Sequence, residues 1–166
     1  MFYRKAEKKL AREQRNLSHC EKGSQNYQKQ KKKVALCHEK IKNQRKDFQH
    51  KLSRELAERY DAVCVEDLNQ QGMSGGLHLG KGVQDNGYGQ FLSMLGYKLE
   101  ERGKNLIKVD RYFASSKICS VCGHKKKKLA LSDREYVCEC GNQMDRDVNA
   151  AVNIREEGKR LYKECA

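Results

Sequence analysis

Four cysteines in two closely spaced pairs are the residues best suited to bind a metal. Cys119 and Cys122 form a C-x2-C pair, and after 15 residues Cys138 and Cys140 form a C-x-C pair that is one residue shorter than usual. A glycine follows each pair and permits the tight turn that aims backbone N–H groups at sulfur. Because Zn²⁺ prefers four thiolates in a tetrahedron, the spacing predicts a structural Zn²⁺ site held by all four.

The other cysteines and a neighbouring histidine lack this spacing. His124 could be a spare ligand, but beside a complete set of four thiols we expect it to be a surface residue. The N-terminus enters a charged helical pattern without a signal-peptide core, so we expect a cytoplasmic protein, where a disulfide framework is improbable. The unpaired cysteines are then ordinary thiols: Cys20, Cys37, Cys64 and Cys165.

Two carboxylates stand where a second metal site could form. Glu66 ends a predicted buried strand, where ligands of open α/β sheets collect, and Asp147 opens a predicted helix. Taken alone, each has an ordinary explanation, as a solvated strand-end carboxylate or as a helix cap. Together, with a second strand between them, they have the order expected of an RNase H-type nuclease. The order predicts that Glu66 and Asp147 are catalytic and bind Mg²⁺.

The elements that position these groups follow from apolar periodicity. Residues 61–66 and 106–109 are short apolar runs that predict strands, and residues 88–102 between them predict a helix. A helix between two such strands is typical of an α/β unit with a parallel pair. The glycine-rich residues 72–89 predict a loop, and residues 147–163 predict a final helix.

Residues 1–60 predict a long helical hairpin, broken at residues 23–26. Apolar residues recur there at helical steps: Ala6, Leu10 and Leu17 in the first helix, and Val34, Cys37, Ile41, Phe48, Leu52, Leu56 and Tyr60 in the second. The segment holds 18 Lys and Arg against 7 Asp and Glu, so it carries +11 of the total charge of +13. A solvated face would explain this, but we favour a face along a nucleic-acid backbone, because phosphates would neutralise the excess.

Two lysine clusters are candidate nucleic-acid contacts. One is the densest part of the hairpin, and the other lies between the cysteine pairs, where a solvated turn would also explain it. We favour phosphate contacts for both: Lys31, Lys32, Lys33, Lys125, Lys126, Lys127 and Lys128. No apolar run approaches the roughly 18 residues of a membrane span, so we expect no membrane partner.

Four segments resemble the TnpB family in their order along the chain. They are residues 64–69 (CVEDLN), 109–117 (VDRYFASSK), 131–136 (LSDREY) and 145–154 (DRDVNAAVNI). The resemblance implies a transposon-encoded, RNA-guided DNA endonuclease, long described as a transposase, with DNA and guide RNA as partners. It also implies a RuvC-type, RNase H-like fold with an inserted zinc ribbon. In this family Glu66 and Asp147 match catalytic positions, and Asp145 would be a neighbour.

The resemblance also implies that part of the nuclease lies outside this sequence. The family's first catalytic Asp lies on a strand upstream of the hairpin, and no such strand precedes it here. We therefore expect an α/β fold that is the C-terminal part of such a nuclease, with the first strands missing and the edge of the strand at Glu66 unpaired. Its parts would be a basic hairpin (1–60), a nuclease half-domain (61–114 and 145–166) and a zinc ribbon (115–144).

Three functions are compatible with these residues. The chain could be the C-terminal portion of a DNA endonuclease that cleaves phosphodiesters with Mg²⁺ when the fold is complete. It could instead be a catalytically dead, nucleic-acid-binding remnant with a zinc ribbon. A zinc-ribbon adaptor for a protein partner is the third, and it predicts binding that ignores salt, whereas phosphate-driven binding weakens as salt rises.

Overall fold

The computed structural model describes residues 4–68, 87–130 and 132–165. It divides into two compact units, Met1–Glu55 and Leu56–Ala166. Most of the predicted glycine-rich loop at 72–89 lies outside the described residues. Among the described helices, none is long and apolar enough to cross a membrane.

The first unit contains the predicted helical hairpin. Helix α1 spans Arg4–Ser18 and helix α2 spans Gln25–Arg59, so the break lies slightly earlier than predicted. The reason is a cap, since the Ser24 hydroxyl accepts a hydrogen bond from the Tyr27 backbone N–H at 3.1 Å. The preceding Gly23 has φ of +89°, which a residue with a side chain rarely adopts.

A buried polar contact joins the two helices of the hairpin. The Gln30 amide donates hydrogen bonds to the Glu13 carbonyl oxygen at 3.0 Å and to the Glu13 carboxylate at 2.8 Å. The hydrogen bond from Gln30 lowers the pKa of Glu13. Apolar periodicity gives no sign of this contact, because both residues are polar.

The predicted apolar stripe of α2 is only partly correct. Cys37 and Ile41 are buried, but Phe48 is 54% exposed and Tyr60, beyond the end of the helix, is 45% exposed. The buried face instead continues through Gln49 and Ser53. Each step of four residues advances about 40° beyond a full turn, so a face that follows such steps rotates around the helix. That rotation leaves Phe48 in solvent.

The second unit is built on a two-stranded parallel sheet, as predicted. Strand β1 spans Ala62–Glu66 and strand β2 spans Asn105–Val109, and Glu66 is in register with Val109. Helix α3, Tyr88–Glu100, connects them and packs on β2. The core of the second unit is apolar. Ala57, Leu95 and Leu99 are buried there and contact Leu56, Val63, Phe91 and Leu106.

Helix α4 spans Arg146–Cys165 and packs on both strands. It approaches the sheet closely at the buried Gly158, where an added Cβ would overlap the Cys64 Sγ and come within 2.8 Å of the Cys64 Cβ. Only a residue without a side chain fits there, so Gly158 determines how closely α4 approaches β1.

A small module separates β2 from α4. It consists of a 3₁₀ turn at Ser115–Lys117 and an antiparallel hairpin formed by strand β3, Glu135–Val137, and strand β4, Gln143–Asp145. Such short strands bury little apolar surface, and the buried cluster here consists of Cys119, Tyr136 and Cys138. The module therefore relies on its cysteines for a core.

Candidate functional site

The four predicted cysteines converge at one point. The Sγ atoms of Cys119, Cys122, Cys138 and Cys140 all lie within 4.8 Å of one another. The Sγ distances are 3.7 Å from Cys119 to Cys140 and 3.6 Å from Cys122 to Cys138. Within the described residues, no other group of three or more Cys, His, Asp or Glu side chains is arranged to hold a metal ion.

The two pairs reach this point through similar turns. In the first, Gly123 has φ of +75° and its N–H donates to the Cys119 carbonyl oxygen at 2.9 Å. In the second, Gly141 has φ of +90° and its N–H donates to the Cys138 carbonyl oxygen at 3.0 Å. The C-x-C pair therefore closes a turn that is one residue shorter than that of the C-x2-C pair.

The cluster favours a thiolate at Cys119 and opposes complete ionisation. Burial raises the pKa of Cys119, but hydrogen bonds from the backbone N–H groups of Cys122 and Val121 and from the Asn142 amide lower it to about 6. For Cys122 the His124 backbone N–H lowers the pKa, but the neighbouring thiols and burial raise it to about 12. Four thiolates this close would need a cation to balance their charge, and a divalent metal provides one.

A tyrosine that sequence reasoning passed over supports the cluster. Tyr136 is fully buried, and its hydroxyl donates to the carbonyl oxygens of Lys117 at 3.1 Å and His124 at 3.3 Å. The Lys126 ammonium lies 4.9 Å from the centre of its ring. The only sequence signal was an aromatic residue two positions before the second cysteine pair.

Two asparagines attach this module to α4, and neither was predicted. The Asn149 side chain donates to the Ile118 carbonyl oxygen at 2.7 Å and accepts from the Ser120 N–H at 3.0 Å. The Asn153 amide donates to the carbonyl oxygens of Ser115 at 2.8 Å and Ile118 at 2.7 Å. Both asparagines are buried. Their spacing of four residues, which places them on one helix face, was the available signal.

The remaining predicted groups near the cysteines are mostly on the surface. His124 is exposed and is not part of the metal-binding group, in agreement with its predicted surface position. Lys125, Lys127 and Lys128 are exposed, whereas Lys126 is half-buried against Tyr136.

The predicted strand-end carboxylate lies at the carboxyl edge of the sheet. Glu66 is half-buried, and the Tyr88 hydroxyl donates to its backbone carbonyl oxygen at 3.2 Å. Burial raises the pKa of Tyr88, as do the nearby charges of Glu66 and Asp67. Asp67 accepts a hydrogen bond from the Arg111 guanidinium at 2.8 Å. The carboxylates of Glu66 and Asp67, the Tyr88 hydroxyl and the Arg111 guanidinium therefore lie near one another at this edge.

The two aspartates at the start of α4 have different positions. Asp145 Oδ1 accepts hydrogen bonds from the N–H groups of Asp147 at 2.8 Å and Val148 at 3.1 Å, so Asp145 is the helix cap. Asp147 lies in the first turn with an exposed side chain. Asp145 thus uses one carboxylate oxygen in the cap, whereas the Asp147 carboxylate is exposed in the first turn of the helix.

The contacts of α4 show which end of the sheet its N-terminus approaches. Gly158 meets Cys64 in the middle of β1, whereas Asn153 binds Ser115, which follows the carboxyl end of β2. Moving along α4 from Gly158 towards Asp147 therefore leads towards the carboxyl edge. Glu66 lies at the same edge.

The predicted hairpin lysines lie on α2 and belong to the first unit. Lys31, Lys32 and Lys33 are exposed, and Lys33 lines a groove between α1 and α2. Other cations also line this groove: Lys5, Lys9, Arg12 and Lys40. The concentration of positive charge suits a polyanion.

Two known families match separate parts of the chain. Residues 1–76 match the OrfB_IS605 family, described as "Probable transposase". Residues 88–154 match the family described as "Cas12f1-like, TNB domain". The second range includes the cysteine cluster and the start of α4.

Similar proteins extend over most of this chain. A Streptomyces pristinaespiralis protein named "Putative RNA-guided DNA endonuclease" is 42% identical over 90% of this chain and 37% of its own length. An Escherichia coli K12 protein of the same name, InsQ, is 33% identical over 94% of this chain and 42% of its own length. The mimivirus protein "TnpB-like protein L79" is 34% identical over 76% of this chain. The chain thus spans less than half the length of the two bacterial relatives.

A solved structure shares the fold. The Cas12f1 chain of a cryo-EM complex with sgRNA and target DNA matches 89% of this chain and 40% of its own, with a TM-score of 0.64 and 24% sequence identity. The likeness supports the predicted α/β class. Because the relatives named above and both family matches agree with the four segments quoted earlier, the chain belongs to the TnpB family.

Proposed function

We propose that this chain is the C-terminal portion of an RNA-guided DNA endonuclease with an RNase H-like fold. Glu66 ends β1 at the carboxyl edge of a parallel pair, and this supports the proposal. From the contacts of Gly158 and Asn153 we infer that α4 directs Asp147 towards the same edge. The nuclease part would comprise residues 61–114 and 145–166, with the basic hairpin at 1–60 and the zinc ribbon at 115–144. The rest of the fold would come from residues outside this sequence.

Glu66 and Asp147 would act by holding Mg²⁺ at that edge. Carboxylate oxygens are the hard ligands that Mg²⁺ prefers, and the capping role of Asp145 leaves Asp147 available. When bound, Mg²⁺ would supply Lewis-acid chemistry suited to activating a water and stabilising the leaving 3′ oxygen of a phosphodiester. The Tyr88 hydrogen bond to the Glu66 main chain would hold β1 in place during that chemistry.

The four cysteines would hold a structural Zn²⁺. A regular tetrahedron with Zn–S bonds of about 2.3 Å has sulfur–sulfur distances of about 3.8 Å. The sulfur pairs at 3.6 and 3.7 Å fit that geometry. Because Asn149 and Asn153 attach the module to α4, the metal would also stabilise the segment that carries Asp147.

DNA and guide RNA are the proposed partners. The hairpin carries most of the excess charge, and its groove is lined by cations from both helices. Lys31, Lys32 and Lys33 would contact phosphates there, and Lys125 to Lys128 would do so on the zinc ribbon. Contacts of this kind neutralise the charge of the nucleic-acid backbone but do not distinguish one base sequence from another. Base pairing with a guide RNA would provide the sequence specificity.

A chimera tests the nuclease proposal. The homologous stretch of the Streptomyces pristinaespiralis relative is replaced by this chain, and Mg²⁺-dependent cleavage of a guide-matched plasmid is measured. We expect cleavage, and we expect Glu66→Gln and Asp147→Asn to reduce it to background, because each removes a charged metal ligand but keeps its shape. The matched control is Asp61→Asn, an exposed carboxylate that precedes the first residue of β1.

The same chimera separates the proposal from a non-catalytic remnant. Cleavage that survives Glu66→Gln would remove Glu66 from the mechanism. A chimera that binds guide and target but never cleaves, when the unmodified relative does, would favour the remnant. In that case the charge of the hairpin and the cysteine cluster would still explain nucleic-acid binding, because neither depends on Glu66 or Asp147.

A further inference from the structure

An exposed tyrosine stands beside the carboxylate edge. Tyr112 is 86% exposed, more than any other large hydrophobic residue among the described part of the chain. Single exposed apolar side chains are common on protein surfaces and need no function. Tyr112 differs from such residues because of how its backbone is held and what lies next to it.

The backbone around Tyr112 is fixed by a closed turn. The Asp110 carboxylate accepts a hydrogen bond from the Tyr112 N–H at 2.7 Å, and the Asp110 carbonyl oxygen accepts one from the Phe113 N–H at 3.0 Å. The next residue, Phe113, is half-buried. The ring therefore projects into solvent from a backbone that is already ordered, so little conformational entropy would be lost if it bound a flat partner.

The turn is also tied to the candidate nuclease site. Val109, in register with Glu66, lies three residues before Tyr112 and accepts a hydrogen bond from the Asp67 N–H at 2.9 Å. Arg111 forms an ion pair with Asp67 at 2.8 Å. Three residues of chain span at most about 11 Å. Tyr112 is therefore placed close to any strand whose phosphate lies at Glu66.

We propose that Tyr112 is a stacking platform for an unpaired base of the DNA strand held at the carboxylate edge. This inference rests on the proposed function, because it takes DNA to be the molecule at Glu66. A tyrosine ring offers a planar face to any base, and its hydroxyl can remain in water, so stacking of this kind tolerates any sequence. The proposed DNA strand at Glu66 is the occupant because Tyr112 lies only three residues after Val109, the register partner of Glu66.

Binding of single-stranded DNA by the purified chain tests the inference without requiring cleavage. Oligonucleotides carrying 2-aminopurine at each position in turn are titrated in the absence of Mg²⁺, and both fluorescence and anisotropy are recorded. Stacking contributes about 1–3 kcal/mol per base. We therefore expect Tyr112→Leu to weaken binding by about 5- to 150-fold and to relieve the quenching at one position. Tyr112→Phe should preserve both.

Two controls define the result. Tyr162→Leu removes another exposed tyrosine, on α4, and should leave both signals unchanged. A blunt duplex offers no unpaired base, so Tyr112→Leu should not alter duplex binding. Because Tyr112 is exposed, the variant should melt at the same temperature as the unmodified protein.

Several outcomes would overturn the inference. If Tyr112→Leu has the same quenching and the same affinity as the unmodified protein, no base stacks on Tyr112. If the same variant also loses self-association, Tyr112 forms a protein contact instead. An equal effect on duplex DNA would exclude an unpaired base. Glu66→Gln should keep the Tyr112-dependent quenching, because stacking does not require the catalytic carboxylate. If Tyr112 stacks a base but the chimera never cleaves DNA, the nuclease proposal is contradicted and the stacking inference is not.

Discussion

Single residues in the cysteine cluster have distinct tasks beyond supplying sulfur. Asn142 donates to the Cys119 Sγ at 3.4 Å, and Tyr136 donates to two carbonyl oxygens of the first cysteine turn and its flank. These neighbours favour ionised sulfur or hold the loops that carry it. Such partners usually determine ligand orientation, so the site consists of more than its four ligands.

A serine substitution tests whether the cluster holds Zn²⁺. Purified protein should contain about one Zn per chain, as a closed four-ligand site does. Cys138→Ser should abolish it, because the hydroxyl stays protonated and is a poor zinc ligand. Cys37→Ser is the matched control, since Cys37 is also a buried thiol but lies on α2, outside the cluster. Metal analysis after dialysis measures both, and unchanged zinc in Cys138→Ser would contradict the assignment.

Among the elements, α4 connects the two candidate sites of the second unit. Its first turn carries Asp147, Asn149 and Asn153 hold the cysteine module, and Gly158 contacts β1. A shift of α4 would therefore move Asp147 relative to Glu66. The close contact at Gly158 is suited to a packing test.

Gly158→Ala should destabilise the protein through a clash with Cys64. Overpacking of this kind typically costs about 1–3 kcal/mol. The loss should be smaller in a Cys64→Ala background, because the overlapping Sγ is gone, and urea denaturation of all four proteins gives the coupling energy. Equal losses in both backgrounds would contradict a clash with the Cys64 Sγ and leave only the contact with the Cys64 Cβ, which Cys64→Ala retains.

A second helical glycine provides the control. At Gly96 in α3 an added Cβ would meet only the Leu106 Cδ2, at an ordinary 3.5 Å. Gly96→Ala should therefore be neutral or stabilise the protein by up to about 1 kcal/mol, since alanine is the better helix former. Destabilisation at both positions would indicate a general intolerance of the second unit to change.

For the whole molecule, the uneven distribution of charge is the dominant feature. Residues 1–60 carry +11 of the total +13, which leaves +2 for the remaining 106 residues. The final helix balances its own cations, since Arg155, Lys159 and Arg160 form ion pairs with neighbouring glutamates. Phosphate binding should therefore depend on the hairpin far more than on α4.

The salt dependence of DNA binding tests this distribution. Each phosphate contact contributes roughly 0.9 to the slope of log K against log salt for duplex DNA. The triple variant Lys31→Ala, Lys32→Ala, Lys33→Ala should reduce the slope by up to about 3. A triple variant of Arg155, Lys159 and Arg160 to Ala removes the same charge from paired positions and should change it less. Equal reductions would show that total charge, and not the hairpin, determines binding.

Local patterns predicted most of the secondary structure correctly. The β-branched runs at 61–66 and 106–109 became β1 and β2, and the periodic residues 88–102 became α3, because each of these signals lies within a few residues. The cysteine spacing likewise predicted the four thiols that converge. The exposure of Phe48 was missed because the buried face of α2 depends on what packs beside it.

The sequence alone thus determined the elements, the family resemblance, the charge and which four thiols converge, because propensity, composition and ligand spacing are local properties. Only the tertiary structure decided that Asp145 caps α4, that Asn149 and Asn153 hold the cysteine module, and that Gly158 packs against Cys64. The contacts of Asn149, Asn153 and Gly158 join residues far apart in the chain, and polar residues and glycine leave no periodic apolar signal to detect. The cap is local, but either aspartate could have formed it, so the backbone geometry decided between them.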